Sequence, residues 1–228
     1  LWFGWFGFNA GSALGANGQA AQAFMNTFLA AAAAGFAWAI VEKIRDGHFT
    51  NLGAASGIVA GLVAITPAAG FVSGMAPIII GLVAGVVCCF AVGLKARAGY
   101  DDALDVVGVH FVGGLVGSLL IGLFAILEFF GGDFGAGLLH GGGTELLLEQ
   151  GLANAVAIVY SFAVTYVIIK VMDKVMTIRV SDEVEDGGLD LAEHGETAYH
   201  NSPGHKVVEG VAASSSPTVS AAPSVAKV

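Results

Sequence analysis

The sequence predicts an all-α polytopic membrane protein, on three observations. Of its 228 residues, 56% are hydrophobic and 12% are charged, where a soluble domain carries about 25% charged residues. The apolar residues gather into blocks of roughly 20, the helix length that crosses about 30 Å of hydrocarbon. Lysine and arginine recur after every second block, as they do when a chain crosses back and forth and keeps its basic loops on one side.

Six apolar segments follow one another, at about 2–15, 19–41, 52–72, 75–94, 103–130 and 150–172. The first is too short to span fully. It begins Leu1-Trp2-Phe3-Gly4, with no initiator methionine, no basic leader and no cleavage site. It therefore reads as the inside of a helix in a C-terminal piece of a longer protein, and not as a signal peptide. Lys43 and Arg45 follow the second segment, Lys95 and Arg97 the fourth, and Lys174 and Arg179 the sixth. The other linkers carry no Lys or Arg. This alternation assigns loops 42–51 and 95–102 and the C-terminal tail to the cytoplasm, and loop 131–149, with His140, to the outside.

The glycines share a spacing. Gly7, Gly11 and Gly15, then Gly53, Gly57 and Gly61, then Gly81 and Gly85, then Gly113 and Gly117 each step by four residues. Such a step keeps small residues on one helix face, which lets two backbones approach closely in lipid. The segments are thus expected to form a close-packed bundle over residues 1–180. From Ser181 the character changes. Seven of the 18 acidic residues lie between Asp182 and Glu196, so much of the formal charge of -9 belongs to a tail. An acidic tail argues against nucleic acid or anionic lipid as a partner. Residues 201–228, rich in Ser, Ala, Val and Pro, are expected to be disordered.

No soluble-enzyme constellation is present: no P-loop, no nucleophile elbow and no paired-cysteine motif. No enzyme activity, cofactor or metal is expected. Cys88 and Cys89 are neighbours in an apolar run and read as small packing residues. His48 and His140 read as solvated loop histidines.

The stretch "DDALDVVGVHFVGG", residues 101–114, is less ordinary. Asp102 and Asp105 stand where they can cap the fifth segment and meet the positive end of its macrodipole. His110 follows, roughly 12 Å further along if the helix starts at Asp102. An ionisable side chain inside a membrane segment is costly and is expected to face the bundle interior or a cavity. A neutral imidazole there offers one donor and one acceptor. It suits a small polar molecule or a proton relay.

"WFGWFGFNAGSA" (2–13), "GAASGIVAGLVAITPAAGFV" (53–72), the His110 stretch and "GLDLAEHGETAY" (188–199) resemble, in order and spacing, the ammonium transporter family (Amt/Mep, distantly Rh). The resemblance implies an eleven-helix fold of two inverted five-helix repeats plus a last helix, assembled as a homotrimer in the plasma membrane. This chain would be the second repeat and the last helix of a bacterial-type member. The resemblance makes His110 one of two adjacent pore histidines and Phe8 one of two gate phenylalanines. It places Ser12, and Trp5 beside it, at the external ammonium recruitment site. It gives residues 181–200 a regulatory role and a PII-type signalling protein as partner. Two positions depart from the family pattern: Val107, where Phe is common, and Phe111, where Gly is common. At helical spacing Phe111 is expected to point about 100° away from His110. The alternative function is an ammonium sensor acting through the tail.

Overall fold

Three helices that carry alanine and glycine at four-residue steps pack around one another in the computed structural model, which describes residues 1–126 and 135–196. Among the described residues every regular element is helical. The expectations for residues 127–134 and for 197–228 lie outside them. The chain divides into two units, Leu1–Phe162 and Ala163–Val228.

In the first unit α1 (Trp2–Gly11) leads to α2 (Gly18–Asp46), which Asn17 caps by accepting from the Ala20 amide at 2.9 Å. Gly47 closes α2 with φ 82°, a left-handed turn that suits glycine. Then come α3 (Asn51–Ile65), α4 (Ala76–Ala91) and the short α5 (Leu94–Ala98). A π-helical turn, Val106–Phe111, runs into α6 (Val112–Phe124). The long α7 (Glu145–Val175) begins in this unit, and Gly122 of α6 packs against the Leu147 backbone at its start. Among the described residues four helical stretches are long and apolar enough to cross a membrane: Gly18–Asp46, Ala76–Ala98, Val106–Phe124 and Glu145–Val175. α3, at 15 residues, is shorter and also apolar.

α2 is the central rod. A side-chain carbon built on Gly61 of α3 would strike the Ala30 carbonyl, one on Gly81 of α4 the same carbonyl, and one on Gly85 the Ala34 carbonyl. α3 repeats the arrangement on its other side, where Gly117 of α6 meets the Ala64 carbonyl. Ala30, Ala34, Ala64 and Ile80 are fully buried at these crossings. Bare backbone against bare backbone maximises dispersion contact where water gives no hydrophobic drive. The four-residue spacing is not uniform in its use, however. Nothing lies within 4 Å of a carbon built on Gly7 or Gly11.

Polar residues tie the same helices. Asn26 is completely buried and donates to the carbonyls of Ala69 (2.8 Å) and Val72 (2.6 Å), which follow α3. Glu42, 7% exposed near the end of α2, accepts from the Thr50 amide (2.9 Å) and hydroxyl (2.7 Å). The Thr50 hydroxyl in turn accepts from the Gly53 amide and caps α3. Burial thus leaves no hydrogen-bonding demand open on either side chain's visible partners.

The second unit holds the rest of α7, then α8 (Asp182–Gly187) and a π-helical turn Asp190–His194 that stops at Gly195 with φ 67°. Arg179 pairs with Glu185 at 2.9 Å.

Replacing Gly81 with Val forces a branched side chain into the Ala30 carbonyl, and overpacking of this kind costs about 1–3 kcal/mol. The expected loss in detergent is roughly 3–10 °C of thermal midpoint. Gly18→Ala, where nothing lies within 4 Å, should leave the midpoint unchanged in the same melting experiment.

Candidate functional site

α1 is held on α2 by ring and amide contacts. Phe6 stacks on Phe24 with centroids 4.0 Å apart, Trp2 lies against Phe28 at 5.6 Å, and buried Asn9 donates to the Thr27 hydroxyl at 3.0 Å. Thr27 spends its own hydrogen on the Ala23 carbonyl. This fixes α1, whose adjoining side carries Trp5, Phe8 and Ser12.

Phe8 is 59% exposed and meets Trp5 edge-on, with centroids 5.8 Å apart. The Trp5 indole donates to the Thr66 hydroxyl at 2.7 Å, and Thr66 donates to the Leu62 carbonyl. The indole is therefore locked to the end of α3. Ser12 donates to the Phe8 carbonyl at 2.7 Å. That commits its one hydrogen and leaves its lone pairs free to accept. Phe8, Asn9, Ser12, Gln19, Thr66 and Phe71 line one cavity of about 220 Å³. The structure thus brings Phe8 and Ser12 together, with Trp5 joined through Thr66. Asn9, Gln19 and Thr66 were not singled out from sequence, although the buried Asn in "GFNAGSA" was the available signal.

The second cluster is built on a turn. Asp105 adopts φ 55°, a left-handed conformation rare for a residue with a side chain. Its carboxylate does not cap the helix; it turns to Lys95, with Nζ to Oδ1 at 2.6 Å. Asp102 does the capping alone, accepting from the amides of Val106 (2.7 Å) and Val107 (2.9 Å). The helix therefore begins at Val106, and His110 lies in its first, π-helical turn. The 12 Å rise expected from a start at Asp102 does not apply, because the left-handed corner at Asp105 interrupts the helix.

Gly108 and Val109 press this turn against α4. A side-chain carbon on Gly108 would lie 2.8 Å from the Val92 Cα, and Val109 is buried with its carbonyl 3.9 Å from the Cys88 sulfur. His110 points the other way and is exposed in this chain. With Phe111, Ser118, Asn154, Ser161 and Pro67 it lines a cavity of about 400 Å³ between α6 and the first part of α7. His110 and Phe111 thus share one wall. Ser118 and Asn154 are hydrogen-bonded across this cavity at 2.9 Å. His140 is exposed in a short 3-10 turn, Leu138–His140, and the ring of His48 lies 2.9 Å from the Asp46 carbonyl. Among the described residues no group of three or more His, Cys, Asp or Glu side chains is placed to hold a metal ion.

A bundle of apolar spanning helices, with polar groups set into two cavity walls, defines a multi-pass membrane protein built around small polar sites. The chain belongs to the Ammonium Transporter Family, whose model matches residues 1–199. The ammonium transporter of Mycobacterium tuberculosis (strain H37Rv) is 50% identical over 203 residues, covering 87% of this chain and 43% of that relative. Among solved structures, Candida albicans Mep2 matches with a TM-score of 0.72 and 38% identity, over 80% of this chain and 41% of that one. A sensor Amt protein matches with a TM-score of 0.73 and 34% identity, over 85% of this chain and 47% of that one. The chain spans roughly half the length of the relatives it matches.

Thr66→Val removes the acceptor of a half-buried indole while keeping its volume. The unpaired donor costs about 1–3 kcal/mol, so the thermal midpoint should fall by several degrees and the indole emission should shift. Thr66→Ser, which keeps the hydroxyl, should show neither change in fluorescence-detected melting.

Proposed function

We propose that this chain forms one half of an ammonium-conducting pore in the plasma membrane. It would be the second inverted five-helix repeat and last helix of an eleven-helix subunit, with three subunits in a homotrimer. A first repeat supplies the facing histidine and gate phenylalanine. The observation that carries the reading is His110, an ionisable side chain on a membrane-spanning helix that lines a mostly apolar cavity.

Ammonium is first held at the outer wall. Its N–H groups donate to the lone pairs that Ser12 leaves open, and its charge meets the exposed ring of Phe8 and the ring of Trp5 beside it. A full charge in a narrow apolar path is expensive, so the cation gives up its proton there. The proton passes to the acceptor nitrogen of the imidazole relay that includes His110, and neutral ammonia moves past the gate ring of Phe8 and along the same imidazoles. Potassium is of similar size but has no proton to lose, and selectivity follows from that difference. Phe111 stands on the same wall as His110 and narrows the path there.

The C-terminus lies in the cytoplasm, and residues 181–200 dock a PII-type signalling protein that closes the pore mouth. Two features support a structured tail: the Arg179–Glu185 pair and the turn that ends at Gly195. A second reading, an ammonium sensor signalling through this tail, is favoured by the likeness to the sensor Amt protein.

In a full-length transporter carrying this sequence, His110→Ala should cut ammonium uptake at least tenfold, about 1.4 kcal/mol of barrier or more. Trimers should persist on native gels. Uptake at the wild-type rate by a folded His110→Ala trimer sinks this mechanism. For the tail, deleting 201–228 should leave uptake unchanged, while deleting 181–228 should impair both uptake and inhibition by PII. Identical behaviour of the two truncations in a transport assay removes the regulatory reading, and a transport-silent phenotype with intact signalling favours the sensor.

A further inference from the structure

We propose that Lys95 is a positioning residue for His110, acting through the left-handed corner at Asp105. The inference rests on the reading of His110 as a pore residue and adds to it a cytoplasmic-side device that sets where the imidazole stands.

His110 follows directly on a turn that is pinned at two places to the same rod, α4 and α5. One place is Gly108–Val109, which lies against Val92 and Cys88. The other is Lys95, whose ammonium donates to the Asp105 carboxylate at 2.6 Å and to the Asp102 carbonyl at 2.9 Å. Asp102 in turn holds the Val106 and Val107 amides with its two carboxylate oxygens. One lysine thus gathers both aspartates whose backbone and side chains start the π-helical turn. The corner needs such support. A residue with a Cβ at φ 55° resists that conformation. The carboxylate in the ion pair is the handle by which it is held. The lysine and aspartate side chains are only 34% and 23% exposed, so the pair is partly shielded from water. If the corner relaxes toward right-handed backbone, the helix gains residues at its start and the π-turn loses its reason to exist. Closing the π-turn to α-helical hydrogen bonds takes up one residue and rotates the turn by about 100° against α6, which moves His110 off the cavity wall it shares with Ser118 and Asn154. Lys95 never touches the transported molecule in this scheme; it fixes register.

The test uses a full-length transporter carrying this sequence, in membranes, with rates normalised to the trimer present. Lys95→Met should lower the maximal ammonium uptake rate about tenfold while the half-saturating concentration stays put, because the recruitment wall around Ser12 is untouched. Amides of Val106–Phe111 should exchange with deuterium faster. Adding Asp105→Gly should restore both rate and protection, since glycine adopts the left-handed corner without an ion pair to hold it. Lys95→Met with Asp105→Ala removes the same unpaired carboxylate but does not favour the left-handed corner, so it should not recover; recovery in it as full as with glycine assigns the effect to charge alone and overturns the proposal. Wild-type rate and protection in Lys95→Met overturns the proposal, and so does a glycine double variant no better than the single one. If Lys95→Met does not reach the membrane, the glycine double variant decides: recovery supports the proposal and continued absence overturns it. His110→Ala measured alongside keeps the two readings apart. Should that variant transport normally, the pore assignment of His110 falls, and deuterium exchange alone decides whether Lys95 holds the turn.

Discussion

The structure depends on how closely α3 and α4 approach α2. In lipid the tails are as apolar as leucine, so helices gain little from burying side chains and much from backbone contact. Ala30 and Ala34 offer a flat strip on α2, and Gly61, Gly81 and Gly85 lay bare backbone on it from two sides. Moving either partner out by a methyl group would separate Asn26 from the Ala69 and Val72 carbonyls and Glu42 from Thr50. These bonds span 43, 46 and 8 residues of sequence, and each is at 2.6–2.9 Å because the backbones touch. Packing and polar ties are therefore one constraint. The glycines set the distance, and the buried amide and carboxylate fix the rotation of each rod.

The two cavity walls inherit that constraint. Thr66, which receives the Trp5 indole, is the residue that closes α3. Pro67, one residue on, lies on the His110 cavity. A single helix end thus bears on both polar clusters, so a shift of α3 against α2 moves both cavity walls together. α1 and α6 lie on opposite partners of this rod. α1 is anchored through Asn9 and Thr27 of α2, and α6 through Gly117 against Ala64 of α3.

How much of this could be read in the sequence follows from which interactions are periodic. Fold class was legible because a spanning segment must satisfy its own backbone and so must be a helix when it is apolar and long. The four-residue glycine step was legible as a packing signal, but not which glycines use it. Gly81 and Gly7 look alike in the sequence, yet only Gly81 meets another backbone. His110 stood out because charge is rare inside a segment. Its surroundings did not, because they hinge on a backbone conformation. Nothing in "DDALDVV" announces that Asp105 is left-handed, since aspartate caps helices far more often than it turns corners. The capping role read for both aspartates therefore divides in the structure: Asp102 caps, and Asp105 pairs. Glu42 and Asn26 were passed over for a related reason. A lone polar residue in an apolar run shows its partner only once the fold brings residues 50, 69 and 72 to it.

The break in regularity around Asp105 is where local preference and global fold disagree, and the fold prevails. A run such as Leu104 to Gly117 would by itself continue as α-helix from a start near Asp102, and every residue would then be rotated with respect to α4. Gly108 would no longer face Val92, and a larger residue would meet the Val92 backbone. Val109 would leave the core that holds Trp38, Ala60 and Cys88. Burying Val109 is worth about 1.5–3 kcal/mol, while a left-handed aspartate costs about 1–2 kcal/mol. The two ranges overlap, so burial alone does not settle the corner, and the Lys95 pair and the Asp102 cap tip the balance toward it. The placement of His110 follows from that balance: an ion pair holds one strained residue so that Val109 is buried, and the imidazole, next in sequence, is carried to the cavity wall as a consequence.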